Sequence, residues 1–75
     1  MENDLYQTPA IGEKRFIIQR NGKSGMLYFE GYNMEYDSNL WTADISAAFG
    51  FINKEMADNA VEIYKTKGEV VEHQF

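Results

Sequence analysis

Apolar and polar positions alternate along the first third of the chain, which is the pattern of β-strands. The segment at residues 15–20 (RFIIQR) carries apolar residues on both faces and therefore predicts a central or well-covered first strand. A second strand is predicted at about residues 26–30. Between the two strands, Asn21-Gly22 favours a type I′ hairpin turn, and a longer loop ending at Gly25 is also compatible with the sequence.

Gly31 shifts this alternation by one residue. The apolar residues stand at odd positions before the glycine and at even positions after it (Leu27, Phe29, then Tyr32, Met34, Tyr36). A one-residue β-bulge at Gly31 would place both sets on the same face. We therefore predict one long bent strand, or two consecutive strands, over residues 26–36. Its rings would then lie on the buried face, while Glu35 and Asp37 face solvent.

The middle of the chain predicts short elements. Residues 37–39 have the composition of a turn, and residues 40–41 begin a short third strand. Thr42 or Asp44 can cap a single helical turn over residues 45–48. This region would then connect the strands to the main helix.

The main helix is predicted at residues 54–67, with Asn53 as its N-cap. Its apolar residues follow the i, i+3, i+4, i+7 spacing of one buried face (Ala57, Ala60, Val61, Tyr64). Its acidic residues lie on the opposite face (Glu55, Asp58, Glu62). Two lysines fall in the last turn, and Gly68 is the expected residue just beyond the helix. Residues 68–75 predict a final strand.

The order of these elements, β-β-(β)-α-β, predicts the α+β class. We expect a small antiparallel sheet with one helix packed on one face. Residues 1–13 are predicted to be a flexible N-terminal arm, because their apolar residues are isolated and Pro9 and Gly12 punctuate them. Residues 14–75 then form a single small domain.

The composition of the chain indicates its cellular compartment. The 75 residues include no cysteine, which excludes disulfides and thiolate metal sites and fits a reducing compartment. The N-terminal residues lack the basic and apolar regions of a signal peptide, and no apolar run approaches membrane-spanning length. We therefore expect a cytoplasmic protein with no membrane partner.

Charge is distributed unevenly along the chain, whose formal net charge is −5. Residues 14–23 carry four bases and no acid (Lys14, Arg15, Arg20, Lys23), whereas residues 24–64 carry seven acids against the single base Lys54. An acidic protein is repelled by nucleic acid and by anionic membranes and is attracted to basic protein surfaces. The expected partner is therefore a protein with a basic surface.

The sequence offers little for catalysis. The single histidine, His73, has no second ligand at metal-binding spacing, and no serine has a patterned catalytic partner. Glu35 and Asp37 form a possible carboxylate pair, but so short a domain has little room to desolvate them. We predict no catalytic residue, no metal, no cofactor and no enzymatic activity.

Protein binding is the leading hypothesis, because eleven aromatic residues exceed what a core of this size requires (five Tyr, five Phe, one Trp). The residues predicted to contact a partner combine tyrosines and acids (Glu30, Tyr32, Glu35, Tyr36, Asp37, Glu55, Asp58, Glu62). Two alternatives remain. One is single-stranded nucleic-acid binding through a basic hairpin (Arg15, Arg20, Lys23, Tyr28). The other is homodimerisation through the tyrosines at 28, 32 and 36.

Residues 41–60 carry a further pattern, which consists of Trp41-Thr42, Asp44-Ile45, Ala48, Phe49, Lys54-Glu55 and Ala57. It resembles a phrase found in small phage and prophage accessory proteins, which place a β-hairpin before the phrase and a helix after it. The resemblance implies an accessory role in host defence evasion. Such proteins block nucleic-acid-handling complexes of the host cytosol in the manner of anti-restriction or anti-CRISPR proteins, in some cases by mimicking nucleic acid.

Overall fold

The computed structural model describes residues 12–75, which form four strands, one helix and one 3₁₀ turn. The strands are β1 (Lys14–Gly22), β2 (Gly25–Asn33), β3 (Ser38–Thr42) and β4 (Glu69–Gln74). The helix is α1 (Lys54–Tyr64), and the 3₁₀ turn spans Ile45–Ala47. No helix within the described residues is long and apolar enough to cross a membrane.

The strands form one antiparallel sheet in the order β3-β2-β1-β4. β1 is central, because it pairs with β2 through residues 19–22 and with β4 through residues 14–19. α1 packs on one face of the sheet, against β1 and β4. The α+β class is therefore confirmed. The sequence predicted the first two strands to pair as a hairpin, but it did not predict the pairing of the last strand with the first, since no local pattern specifies it.

The hairpin between β1 and β2 turns at residues 23–24 rather than at Asn21-Gly22. Gly22 pairs with Gly25, which leaves a two-residue loop between them. Neither loop residue has a positive φ, so the turn is not type I′. The type I′ prediction is therefore wrong. Asn21 remains within the ladder, and Gly25, with a φ of 135°, supplies the unusual backbone geometry.

Gly31 forms the β-bulge that the parity shift predicts. Phe29 pairs with Trp41, Glu30 is left as the extra residue, and pairing resumes at Gly31. The φ of Gly31 is 154°, in a region that is essentially restricted to glycine. Because the bulge restores the parity of the strand, Tyr32 lies on the same face as Phe29, toward α1, as predicted.

Met34 and Tyr36 do not continue this face. β2 ends at Asn33, whose side-chain Oδ1 accepts hydrogen bonds from the backbone N–H groups two and three residues later, at 2.9 and 3.3 Å. The chain then reverses at residues 34–37. The predicted strand through residue 36 and the predicted turn at 37–39 are therefore wrong, because the Asn33 side chain offers the backbone an alternative to the ladder.

Replacing Gly31 with alanine is expected to destabilise the domain by about 1–3 kcal/mol, because a residue with a Cβ is strained at this φ. The added Cβ would meet no heavy atom within 4 Å, so the loss would come from the backbone and not from a clash. Urea denaturation followed by circular dichroism measures the effect. A loss below about 0.5 kcal/mol, the range of ordinary surface substitutions, would contradict the assignment.

Residues 49–51 lie between β1 and β2 beyond the point where these strands pair directly. The Phe49 N–H donates to the Phe29 carbonyl oxygen at 2.9 Å. Phe51 exchanges two hydrogen bonds with Phe16, at 2.9 and 2.8 Å. The segment therefore satisfies backbone groups of both strands and brings two phenylalanine rings toward the core.

α1 begins where predicted and ends earlier than predicted. The Asn53 side chain accepts a hydrogen bond from the Met56 N–H at 2.8 Å, so the N-cap is confirmed. The helix ends at Tyr64 instead of residue 67, because Lys65 takes a left-handed conformation with a φ of 52°. Lys67 has a φ of 59° as well, so neither lysine belongs to the last helical turn.

Gly68 is needed for close packing and does not terminate the helix. It lies in the connection from α1 to β4, where an added Cβ would be 2.6 Å from Ile18 Cγ2 and 2.9 Å from the Gln19 carbonyl oxygen. Thr66, two residues earlier, is buried, and its hydroxyl oxygen accepts a hydrogen bond from the Gly68 N–H at 3.2 Å. This connection thereby holds the end of α1 against β1.

The core lies between the sheet and α1, around Ile18, Phe29 and Ala60. The Phe29 ring packs edge-on against Trp41 and stacks on Phe51 and Tyr64, with centroid distances of 5.9, 6.3 and 5.9 Å. The predicted apolar face of α1 is confirmed, since Ala57 and Ala60 are buried and Val61 and Tyr64 are half-buried.

Residues 1–11 of the predicted arm lie outside the described residues. Gly12 and Glu13, which the prediction also assigned to the arm, hydrogen bond to the last residue of the chain. The Gly12 N–H donates to the Phe75 carbonyl oxygen at 2.7 Å, and the Phe75 N–H donates to the Glu13 carbonyl oxygen at 2.8 Å. The chain is therefore held beside β4 from residue 12 onward.

Candidate functional site

The strongest candidate site is the turn between β2 and β3, residues 34–37, which we call the acidic turn. All four of its side chains are exposed (Met34, Glu35, Tyr36, Asp37). Its backbone is held by the two hydrogen bonds to the Asn33 side chain and by the left-handed conformation of Asp37, whose φ is 52°. Aspartate tolerates this conformation better than most residues. The turn therefore has a defined backbone and freely presented side chains.

The acidic turn mixes apolar and acidic groups. Met34 is 84% exposed and Tyr36 is 72% exposed, next to two exposed carboxylates. The sequence interpretation placed these two apolar side chains behind an acidic face, and that separation is wrong, because the strand ends before either residue. A mixed acid–aromatic surface is the type of surface that protein interfaces use.

A groove separates the acidic turn from the C-terminal end of α1. Its volume is about 410 Å³, and its lining comes from Tyr32, residues 37–39 and residues 63–65. The Tyr32 and Tyr64 rings stack with centroids 4.7 Å apart and an interplanar angle of 23°. We call this concavity the turn–helix groove. Because the Gly31 bulge turns Tyr32 toward α1, the groove depends directly on that glycine.

Asn39 joins the two walls of the turn–helix groove. Its side-chain Nδ2 donates to the Tyr64 carbonyl oxygen at 3.1 Å, so β3 holds the last residue of α1. The other side-chain atom, Oδ1, is buried and has no hydrogen-bond partner among the described residues. A buried acceptor of this kind adds unneutralised negative potential to its surroundings.

The structure divides the predicted partner-binding residues into separate groups. Tyr32 and Asp37 line the turn–helix groove, and Glu35 and Tyr36 belong to the adjacent acidic turn. Glu30 is exposed at the bulge, roughly 10 Å along β2 from the end of the strand.

The acids of α1 form the second group, and they are exposed along the helix (Glu55, Asp58, Glu62). Asp58 pairs with Lys54 at 3.0 Å. Glu55 lies roughly 12 Å along the helix axis from Ile63, where α1 meets the groove. The predicted set therefore does not form one continuous surface.

The residues of the nucleic-acid alternative do not share one face. Arg20 lies on the α1 side of the sheet, where its guanidinium carbon is 4.6 Å from the centroid of the Trp41 ring. Tyr28 pairs with Gln19 and therefore faces the opposite side. Arg15 pairs with Glu13 at 2.9 Å. Arg20 and Tyr28 would thus contribute to different surfaces, and Arg15, although on the Tyr28 side, is already paired with an acid.

Charges of opposite sign lie at opposite ends of the sheet. β2 runs from the hairpin that carries Lys23 to the acidic turn, a span of roughly 25 Å over its nine residues. That span exceeds the Debye length of about 8 Å at physiological salt. The negative potential of the acidic turn is therefore not cancelled by the basic hairpin.

Asp44 has a carboxyl pKa below its ordinary value. The Ser46 hydroxyl and backbone N–H donate to its carboxylate at 2.7 and 3.0 Å and hold its pKa below the ordinary value. A depressed pKa stabilises the fold above the usual carboxyl range, and this contribution is lost as the pH falls through the folded-state pKa. Asp44 thus caps the 3₁₀ turn, as predicted, and takes no part in the groove.

Residues 12–75 contain no group of three or more metal-ligating side chains arranged to hold an ion. His73 packs edge-on against Phe75, with a centroid distance of 4.5 Å. Asp37 and Glu35, the only carboxylate pair considered for catalysis, are both exposed. The absence of catalysis stays a prediction, as does the absence of a cofactor.

Sequence reasoning missed six residues of the site, which are Met34, Ser38, Asn39, Ile63, Tyr64 and Lys65. Met34 was assigned to the buried face, and Asn39 was assigned to a turn. Ile63 is 69% exposed and lies off the apolar stripe of α1, which is the signal that could have identified it. Lys65 was placed inside the helix, and no local pattern distinguishes its left-handed conformation from a longer helix ending at Gly68.

Comparisons with models of protein families, with curated proteins and with solved structures found no match for this chain. The resemblance to phage accessory proteins therefore stays a prediction. The acidic turn and the turn–helix groove are the features of the structure that bear on its function.

Proposed function

We propose that this protein is a non-enzymatic binding module that holds a protein partner with a basic surface through its acidic turn. One observation carries the proposal: two large apolar side chains, Met34 and Tyr36, are exposed in the same four-residue turn as the carboxylates of Glu35 and Asp37. Clustered exposed apolar groups of this kind mark interaction sites, whereas single ones do not.

Each part of the acidic turn supplies a distinct contribution to binding. Tyr36 offers a large rigid ring that loses little conformational entropy on contact. Glu35 and Asp37 orient the partner by pairing with arginine or lysine. The turn itself is held by Asn33 before any partner arrives, so binding does not have to order the backbone.

The chemistry of the turn favours partners that normally bind phosphates. Surfaces of nucleic-acid-handling complexes carry arginine and lysine in grooves shaped for a polyanion. An acidic module of this size would occupy such a groove and exclude the nucleic acid. The resemblance of residues 41–60 to phage accessory proteins supports the same class of partner, namely a restriction or CRISPR complex of the host cytosol.

Reversing the charge of the acidic turn is expected to abolish partner binding and to leave the fold intact. The variant combines Glu35→Lys with Asp37→Asn, because asparagine keeps the left-handed conformation that Asp37 adopts. Wild-type and variant proteins would serve as baits in bacterial host lysates, at low and at high salt. A protein retained by the wild type at low salt should be lost from the variant.

The control removes charge from α1 instead of the acidic turn. Glu55→Lys combined with Asp58→Asn changes the net charge by the same amount as the turn variant. This control is expected to retain the captured protein. Equal capture by the wild type and the turn variant would refute the proposal, provided that circular dichroism shows the same fold.

A further inference from the structure

We infer that the turn–helix groove is a receptor for an arginine side chain of the partner. This inference rests on the proposed function and adds to it the chemical group that the site accepts. The groove offers a stacked aromatic wall, a carboxylate and the carbonyl end of a helix. A guanidinium group, which is planar and cationic and carries several hydrogen-bond donors, matches all three features.

The aromatic wall is formed by the stacked rings of Tyr32 and Tyr64. Tyr64 also stacks on Phe29 in the core, which fixes the position of the wall. Arginine stacks on tyrosine faces through both its planarity and its charge, and such contacts strengthen where water is excluded. The groove therefore presents a preformed aromatic wall against which a guanidinium group can pack.

Hydrogen-bond acceptors surround this wall. Asp37 contributes a carboxylate, and α1 ends at Tyr64 with no basic residue in its last turn. The carbonyl end of a helix carries partial negative charge, which attracts cations. The buried Oδ1 of Asn39 has no partner among the described residues and adds to the same negative potential. The site thus favours a donor-rich cation over an anion.

Lys65 is the one lining residue that opposes an incoming cation. It lines the groove and has a φ of 52°, a conformation that favours glycine. Its positive charge lowers the attraction of the groove for a second cation. Replacing Lys65 with glycine is therefore expected to improve cation binding and to relieve backbone strain at the same time. Lys67 offers a matched control, because it is equally left-handed but does not line this groove.

The rim of the groove is suited to exclude water from the ion pair between Asp37 and the partner's arginine. Ile63 is exposed in the groove wall, and Met34 and Tyr36 project from the adjacent turn. Apolar groups around a polar anchor strengthen it by keeping solvent out when the partner covers them. The arginine is therefore expected to be the central anchor of a larger contact and to bind only weakly on its own.

The test is an NMR titration of the full chain with N-acetyl-arginine amide and with the neutral isostere N-acetyl-citrulline amide. We expect the arginine probe to shift the backbone amide signals of residues 37–39 and 63–65, with a dissociation constant of about 1–10 mM. The citrulline probe should shift them much less. Equal responses to both probes, no response, or shifts confined to Glu55 and Asp58 would each overturn the inference.

Three variants test the roles of individual groups. Asp37→Asn keeps the backbone conformation. It is expected to lower the affinity for the arginine probe by about tenfold, because one charge-assisted hydrogen-bonded pair is lost. Lys65→Gly should tighten binding by about threefold, since a competing charge is removed. Lys67→Gly should leave the affinity unchanged. Equal effects of the two lysine variants would contradict the placement of the site.

The titration and the capture experiment test separate hypotheses, so a negative result in one does not decide the other. If the charge-reversed turn loses its partner but the arginine probe does not bind, the arginine receptor is excluded and the binding module stands. If the probe binds in the groove but the charge-reversed turn variant captures the partner as well as the wild type does, the groove is a cation site and the proposed function is wrong.

Discussion

Replacing Phe29 with alanine is expected to lower the free energy of unfolding by about 3–5 kcal/mol, as is typical of large-to-small changes in a core. The ring is almost fully buried and packs on Trp41, Phe51 and Tyr64. A domain of this length has a total stability of roughly 4–11 kcal/mol. The variant should therefore lose a large share of its stability and unfold at a clearly lower urea concentration than the wild type.

Urea denaturation followed by far-ultraviolet circular dichroism measures this loss. Phe29→Leu is the matched control, because leucine fills much of the same volume and should lose less stability than alanine does. In the alanine variant the Tyr64 ring loses its support, so near-ultraviolet signals of the tyrosine stack should weaken even in the folded fraction. A loss below about 1 kcal/mol would show that Phe29 is not the centre of the core.

Gly68→Ala is expected to destabilise the protein by about 2–3 kcal/mol, because the new Cβ has no space. It would lie 2.6 Å from Cγ2 of the fully buried Ile18 and 2.9 Å from a backbone oxygen of Gln19. Neither neighbour can move without shifting the centre of the sheet. The connection between α1 and β4 would then be displaced, and with it the C-terminal wall of the groove.

A double-mutant cycle with Ile18→Ala tests the origin of this loss. Ile18→Ala removes Cγ2 and makes room for the new methyl group, so the two substitutions should be less than additive when combined. Additive losses in urea denaturation would mean that the clash with Ile18 is not the cause. The backbone oxygen of Gln19 would then be the dominant obstacle.

Local signals in the sequence predicted the features that depend on neighbouring residues. Asn53 and Asp44 were identified as caps because their side chains can accept hydrogen bonds from the next backbone N–H groups. Gly31 was identified as a bulge because the apolar parity changes there. That inference correctly placed Tyr32 on the same face as Phe29, which in the structure is the face toward α1.

The errors arise where two local interactions compete. Asn33 ends β2 by capturing the following N–H groups, so the parity argument stops before Met34 and Tyr36. Lys65 ends α1 in a conformation that glycine would adopt more readily, so the helix was predicted to be too long. In both cases a side chain or a strained residue overrides the periodic pattern, and both residues border the candidate site.

The groove itself could not be predicted, because it depends on long-range contacts. Asn39 reaches the Tyr64 carbonyl across 25 positions of the chain. Tyr32 meets Tyr64 only because α1 crosses the sheet at that point. No periodicity in either segment specifies the contact between Tyr32 and Tyr64, since each segment is compatible with other placements of the helix.

We expect the acidic turn, and not the acidic face of α1, to hold the partner. Two variants that each remove two negative charges test this expectation most directly: Glu35→Gln with Asp37→Asn, and Glu55→Gln with Glu62→Gln. The measurement is the affinity of each variant for the captured partner by calorimetry, at matched salt. We predict a loss of at least about tenfold for the turn variant and little change for the helix variant. Equal losses, or a loss confined to the helix variant, would contradict the account.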